Sequence, residues 1–281
     1  MYAIEVEHLR KVYGDVVAVD DVSFHVASGE CLALLGPNGA GKTTTTEILE
    51  GYRKADRGTA RVLGQDPGSA GLEWRSRLGI VLQSDRDLGD LTVRESVHHF
   101  AGYFPDSYDP DKVIERVGLV EKAKSRNAKL SGGQRRRLDV ALGIIGRPEV
   151  LFLDEPTTGF DPEARHEFWA LIEELKADGT TILLTTHYLD EAERLADRVA
   201  VIARGRIVAC DTPGNIGDRS HARAHVSWEE NGHVLSEETT EPTLLVQRLA
   251  ERFGGEVPSL QVHRPTLEET YLELLKNEGE S

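Results

Sequence analysis

The sequence predicts an α/β fold with a helical insertion and a small α+β appendage. Three observations predict it. Short apolar runs, Cys31-Leu32-Ala33-Leu34-Leu35, Val150-Leu151-Phe152-Leu153 and Ile182-Leu183-Leu184, read as buried parallel strands. The first leads into Gly36-Pro37-Asn38-Gly39-Ala40-Gly41-Lys42-Thr43-Thr44, a G-x-x-x-x-G-K-[ST] loop, and a helical pattern with Ile48 and Leu49 leaves it. From about 84 to 140 the patterning is helical, and no strand-like run follows until Val150.

The loop carries a specific chemistry. Its glycines let the backbone close around an anion. Backbone N–H groups and the positive end of the new helix then face phosphates. Lys42 would reach the β- and γ-phosphates, and the Thr43 hydroxyl would hold Mg²⁺. A Gly-rich turn with an incidental lysine is the bland alternative, and the flanking strand and helix argue against it.

Along the chain, Ile4, Val6 and His8 alternate with Glu5 and Glu7, and Val22, Phe24 and Val26 alternate with Ser23 and His25. Between them Tyr13-Gly14 marks a turn, where the ring could stack on a nucleobase or simply pack in a core. Thr59 to Leu63 reads as a strand, as does Gly79 to Gln83. Gln83 ends that strand, where ligands gather in parallel sheets, although an ordinary turn residue would look the same. Thr92-Val93-Arg94-Glu95 is a capping box. Ser131 is an N-cap, and Gly132 and Gly133 leave a second helix start open to an anion; Leu138, Ala141, Leu142 and Ile145 follow on one face. Val150 to Leu153 ends in Asp154-Glu155. Adjacent carboxylates there call for a cation: Asp154 would meet Mg²⁺ and Glu155 could polarise a water for attack on a phosphate. Ala164, Phe168, Leu171, Ile172 and Leu175 form an amphipathic helix that Gly179 ends. His187 closes the next strand and could donate to a phosphate or be structural. From about 220 the character changes, with strands at Ala224–Trp228 and Val257–Val262, a helix through Leu245, Leu249 and Phe253, and a capping box at Thr266–Glu269. This gives domains at 1–219 and 220–281.

The 281 residues carry a formal net charge of −15, which makes a poor general binder of nucleic acid or anionic lipid. Arg135-Arg136-Arg137, the one tight basic run, reads best as a solvated helix face. Cys31 and Cys210 sit in apolar runs and are expected to be buried, reduced thiols. No run of about 18 apolar residues occurs, and Met1 to Glu5 does not open a secretion signal, so a cytoplasmic protein is expected.

Taken together, these residues resemble the nucleotide-binding subunits of ATP-binding cassette (ABC) transporters over nearly all of 2–215. Leu130-Ser131-Gly132-Gly133-Gln134 matches that family's signature motif letter for letter, shortly before the Asp154-Glu155 strand. The resemblance implies a P-loop NTPase core: a RecA-like mixed sheet with an N-terminal antiparallel β subdomain. It implies that Tyr13 stacks adenine, that Gly36 to Thr44 grip ATP, and that Gln83 senses Mg²⁺ and the attacking water. It implies Asp154 as a magnesium ligand, Glu155 as the base and His187 as the switch histidine. Ser131, Gly132, Gly133, Gln134 and Asp161 would serve a second subunit's ATP. Phe160 departs from the family's more usual leucine. The implied partners are that second nucleotide-binding subunit, in a homo- or heterodimer, and a separate transmembrane permease that holds the chain at the inner membrane face. The segment from Pro265 to Leu274 resembles the close of bacterial drug-exporter subunits of the ABC-2, daunorubicin-resistance type, which implies export of a drug-like or lipophilic compound.

Overall fold

The computed structural model describes residues 1–81, 90–219 and 222–277. The first part of the chain forms β1 (Tyr2–Tyr13), β2 (Val16–Ala27), β3 (Cys31–Leu35), α1 (Lys42–Leu49), β4 (Arg57–Val62), α2 (Leu72–Arg75) and β5 (Leu78–Val81). Next come α3 (Val93–Ala101), α4 (Pro110–Arg116), α5 (Gly132–Ile144), β6 (Val150–Asp154), α6 (Pro162–Ala177), β7 (Thr181–Thr186), α7 (Leu189–Leu195), β8 (Arg198–Ala203) and β9 (Arg206–Asp211). The last are β10 (Ala224–Glu230), β11 (His233–Thr239), α8 (Pro242–Phe253), β12 (Gln261–His263) and α9 (Leu267–Asn277).

The central sheet has the order β5-β6-β7-β3-β8-β9. β5 through β8 run parallel, and β3, β6 and β7 are buried throughout, as continuous apolar strands covered on both faces should be. β9 returns beside β8 after the tight Arg204-Gly205 turn, where φ is +48° and +80°. Register decides where the chemistry falls. Leu35 lies opposite Thr186, and Asp154 opposite Thr185. The phosphate loop, the Asp154-Glu155 pair and His187 therefore leave the sheet at one edge, the carboxyl end of its parallel strands.

A second, antiparallel sheet, β2-β1-β4, presents Ile4, Val6, Val22, Phe24 and Val26 to the core that also holds Leu32, Leu34 and Phe152. His8 was expected on the same face as Val6. A bulge intervenes: His8 takes φ +51° and is exposed, and Leu9 becomes the next buried residue. One extra residue resets the two-residue period.

In the insertion, α3 begins at the Thr92–Glu95 capping box and packs with α4 and α5. α5 runs beyond the expected limit of the insertion and its far half lies against β5. Ile145, Ala141 and Leu138 are buried along it. Arg136 is buried too, which corrects the expectation of a solvated basic face. It lies one helical turn before buried Val140, on the inward side.

The chain divides into compact units at Cys210/Asp211, ahead of the boundary after 219 drawn from sequence. In the second unit, α8 sets Leu245 and Leu249 on Val226 and Trp228 of the sheet β11-β10-β12. The sequence missed β11, because no residue of it is buried and no core face marks its period. The strand expected over Val257–Val262 shrinks to Gln261–His263, since Ser259 turns at φ +51° after Pro258. Cys31 is fully buried, and burial pushes its thiol up to about 12. Cys210 is only half-buried, and its Sγ accepts from Arg198 Nη2 at 3.0 Å.

Candidate functional site

The loop between β3 and α1 leaves no room for side chains at two of its glycines. A Cβ on Gly36 would stand 2.3 Å from the Ile202 carbonyl oxygen. Gly41 has φ +106°, and a Cβ there would stand 2.5 Å from the Ala18 oxygen. Both positions need glycine for close backbone approach, and Gly41 also for its left-handed conformation. The loop closes over Lys42, which is 4% exposed. Its Nζ donates to the carbonyls of Gly36 at 2.7 Å and Pro37 at 3.2 Å, and lies 3.4 Å from Glu155 Oε1. Beside it opens a cleft of about 420 Å³, whose lining includes Tyr13, Asn38, Gly39, Thr43, Thr44 and Glu155. Tyr13 is partly exposed at the end of β1, with Lys11 Nζ and the Arg53 guanidinium each 5.5 Å from its ring centre. Asp56 and Glu47 hold those two cations.

The ends of β6 and β7 supply the acidic wall. The Thr185 hydroxyl donates to Asp154 Oδ1. The Glu155 N–H donates to the Thr185 carbonyl at 3.0 Å and to the Thr185 hydroxyl at 3.2 Å. Glu155 takes φ +43°, a costly conformation for a side-chain-bearing residue, which these bonds help to fix. His187 Nδ1 lies 3.2 Å from Glu155 Oε2, within ion-pair distance but without a hydrogen bond. Burial pushes the Asp154 carboxyl up from its ordinary 3.8; the Thr185 hydroxyl pulls it back, and the neighbouring Glu155 pushes it further up. From α5, Arg136 Nη2 donates to the Asp154 carbonyl at 2.6 Å and Nε to the Pro156 carbonyl at 3.0 Å. It braces the bend that carries both carboxylates.

Other expected residues lie apart from this cleft. Ser131 caps α5: its hydroxyl accepts from Gln134 N–H at 3.3 Å, and Gln134 Oε1 accepts from Ser131 N–H at 3.1 Å. Ser131 and Gly132 are exposed, and a Cβ on Gly132 would meet nothing within 4 Å. Asp161 caps α6, accepting from Ala164 N–H at 2.8 Å. Neither Ser131 nor Asp161 lines the Lys42 cleft. Gln83 lies outside the described residues. Sequence reasoning missed Thr185 and Arg136. Thr185 had no signal apart from its strand. Arg136 had one, its one-turn spacing from Val140.

The cassette can be compared with known proteins on this geometry. A family model described as ABC transporter matches residues 19–158. The chain is 39% identical to a Nod factor export ATP-binding protein I of Burkholderia orbicola, over 98% of this chain and 97% of that one. The chain belongs to the ABC transporter family. A protein of the same printed name from Paraburkholderia xenovorans is 46% identical over 75% of this chain and 71% of its own. A solved structure of an ATP-binding subunit of an ABC transporter superposes with a TM-score of 0.72, covering 97% of this chain and 99% of that one at 25% identity. This ABC transporter chain is an ATP-binding subunit and an ATPase. None of its described helices is long and apolar enough to cross a membrane.

Proposed function

We propose that this ATPase powers export through a separate membrane-embedded permease, by closing head to tail with a second ATP-binding subunit. One observation carries the two-subunit reading. The α5 start, fit for an anion, exposes Ser131 and Gly132, and neither lines the chain's own phosphate cleft. Each chain thus offers two separated halves of a phosphate site, and a second subunit joins them. Membership of the family supports the permease reading, in which the chain works at the inner face of the membrane. Export is supported by the printed names of the relatives and by the Pro265–Leu274 segment, which also favours a drug-like or lipophilic cargo.

In this reading Tyr13 stacks the base, and the backbone from Gly36 to Thr44 holds the phosphates. Lys42 turns from the Gly36 and Pro37 carbonyls to the β- and γ-phosphates. Glu155 takes the proton of the attacking water. His187, beside it, steadies the γ-phosphate. Asp161, with the Ser131 cap, faces the second subunit, and Gln83 couples the site to the permease.

Magnesium fits the donor set. Among the described residues no three His, Cys, Asp or Glu side chains converge, so a protein-only cage is not offered. The Thr43 hydroxyl, the Asp154 carboxylate and Gln83 are oxygen donors suited to a hard cation that shares its shell with phosphates. When bound, it would neutralise phosphate charge; Thr43, Asp154 and Gln83 would hold it.

Ser131→Arg tests the dimer. Expected is unchanged ATP binding by the single chain, with ATP-driven dimerisation lost by light scattering. A dimer that still forms with ATP would refute the role of the α5 start.

A further inference from the structure

Glu191 is the charged side chain that the mechanism above leaves unused at its very centre. It lies in the first turn of α7 and is 0% exposed. Its Oε1 accepts the Thr157 hydroxyl at 2.9 Å, and both groups are buried. Thr186 Oγ1 accepts the Tyr188 N–H at 3.0 Å, just ahead of α7. Thr157 stands two residues after Glu155, and Thr186 immediately before His187. Glu191 itself follows His187 by four residues, so the Thr157–Glu191 bond joins the two chain segments that carry the Glu155–His187 contact.

We propose that Glu191 is a positioning residue for hydrolysis, tying the segment after Glu155 to the start of α7, directly after His187, through its bond to Thr157. The energetics favour this over a stabilising role. Glu191 Oε2 is buried without a hydrogen bond. A half-satisfied buried carboxylate weakens a fold rather than strengthening it. Burial accordingly pushes the Glu191 carboxyl up. What the carboxylate supplies is registration. Glu155 sits in an unfavourable left-handed conformation, and such a conformation persists only where its surroundings over-determine it. The Thr185 bonds fix its N–H side. The Thr157–Glu191 bond fixes the chain on its other side, where the Phe160 N–H also returns to the Thr157 carbonyl at 3.1 Å.

The test uses the full chain, three single variants and one double variant. Glu191→Leu removes the acceptor, Thr157→Val removes the donor at nearly equal volume, and Glu191→Gln keeps an acceptor oxygen. Expected for the Leu and Val variants is a fall in kcat of about ten- to a hundred-fold, with KM for ATP unchanged. The double variant Thr157→Val/Glu191→Leu should lose no more than Glu191→Leu alone, because both changes break the same Thr157–Glu191 bond. Glu191→Gln should recover most of the rate. A purely structural role predicts otherwise: lost activity would follow lost melting temperature, and KM would move with kcat. Either that pattern, or additive losses, or unchanged kcat in folded Thr157→Val, would overturn the proposal. It rests on Glu155 as the base, which Glu155→Gln tests separately. Full turnover in that variant would sink the mechanism, whereas a silent Thr157→Val with an inactive Glu155→Gln would sink only the role of Glu191.

Discussion

Glu155→Gln should have two opposite effects, and the geometry sets the size of each. In the proposed mechanism the carboxylate takes a proton from water, and removing a general base costs roughly 10²- to 10⁴-fold in rate. Glutamine has nearly the same shape, so the β6 bend and its Thr185 bonds persist. The second effect comes from Lys42. Its Nζ is 3.4 Å from Glu155 Oε1, and unit charges at that separation attract by roughly 5 kcal/mol at an effective dielectric of about 20. Lys42 also bonds two carbonyls, so the net contact is smaller, in the range of about 1.5–3 kcal/mol typical of charged hydrogen bonds. Lys42 must give up this contact to reach phosphate, and the Glu155 charge also repels phosphate. Removing the carboxylate should therefore tighten ATP binding by about ten-fold or more, since each 1.4 kcal/mol or so is one decade. The variant should also accumulate as an ATP-bound dimer. Phosphate release and calorimetric ATP titration read the two effects. Turnover within about three-fold of the parent would remove Glu155 from the base role. Weaker ATP binding would refute the competition for Lys42.

Two more predictions test the supports of the site. Gly36→Ala forces a Cβ to 2.3 Å from the Ile202 carbonyl, so β8 or the loop must shift. The expected cost is about 1–3 kcal/mol, read as a melting temperature several degrees lower, together with weakened ATP binding; an unchanged melt would contradict the close approach. Asp154→Asn should stabilise the protein free of nucleotide. The folded carboxyl is raised above its ordinary 3.8, so the native state holds its proton more tightly than the unfolded chain does. Stability is then lost as pH rises from that value through the folded one. The Asn variant should melt higher than the parent near neutral pH, and the gap should close as the pH is lowered. A variant that melts lower at neutral pH would show that the Thr185 bond outweighs burial.

The sequence by itself determined the pieces whose physics is local. A Gly-rich loop between a buried strand and a helix has one plain use. Ser131 with Gln134 three residues on specifies its own cap, and the buried strands are marked by unbroken apolar runs. Tertiary structure decided what depends on strand order and on register. Nothing local says that β3 lies between β7 and β8, yet that order brings Gly36, Glu155 and His187 to one edge. Arg136 looked solvated because charge was read without the helix that turns it inward to the Asp154 and Pro156 carbonyls. β11 was invisible because a strand with no buried face has no hydrophobic period to read. Nothing local marks Glu191; only folding brings the Thr157 hydroxyl to its carboxylate. Burial and partnership between residues distant in sequence exist only once the chain has closed on itself, which is why those features belong to the fold alone.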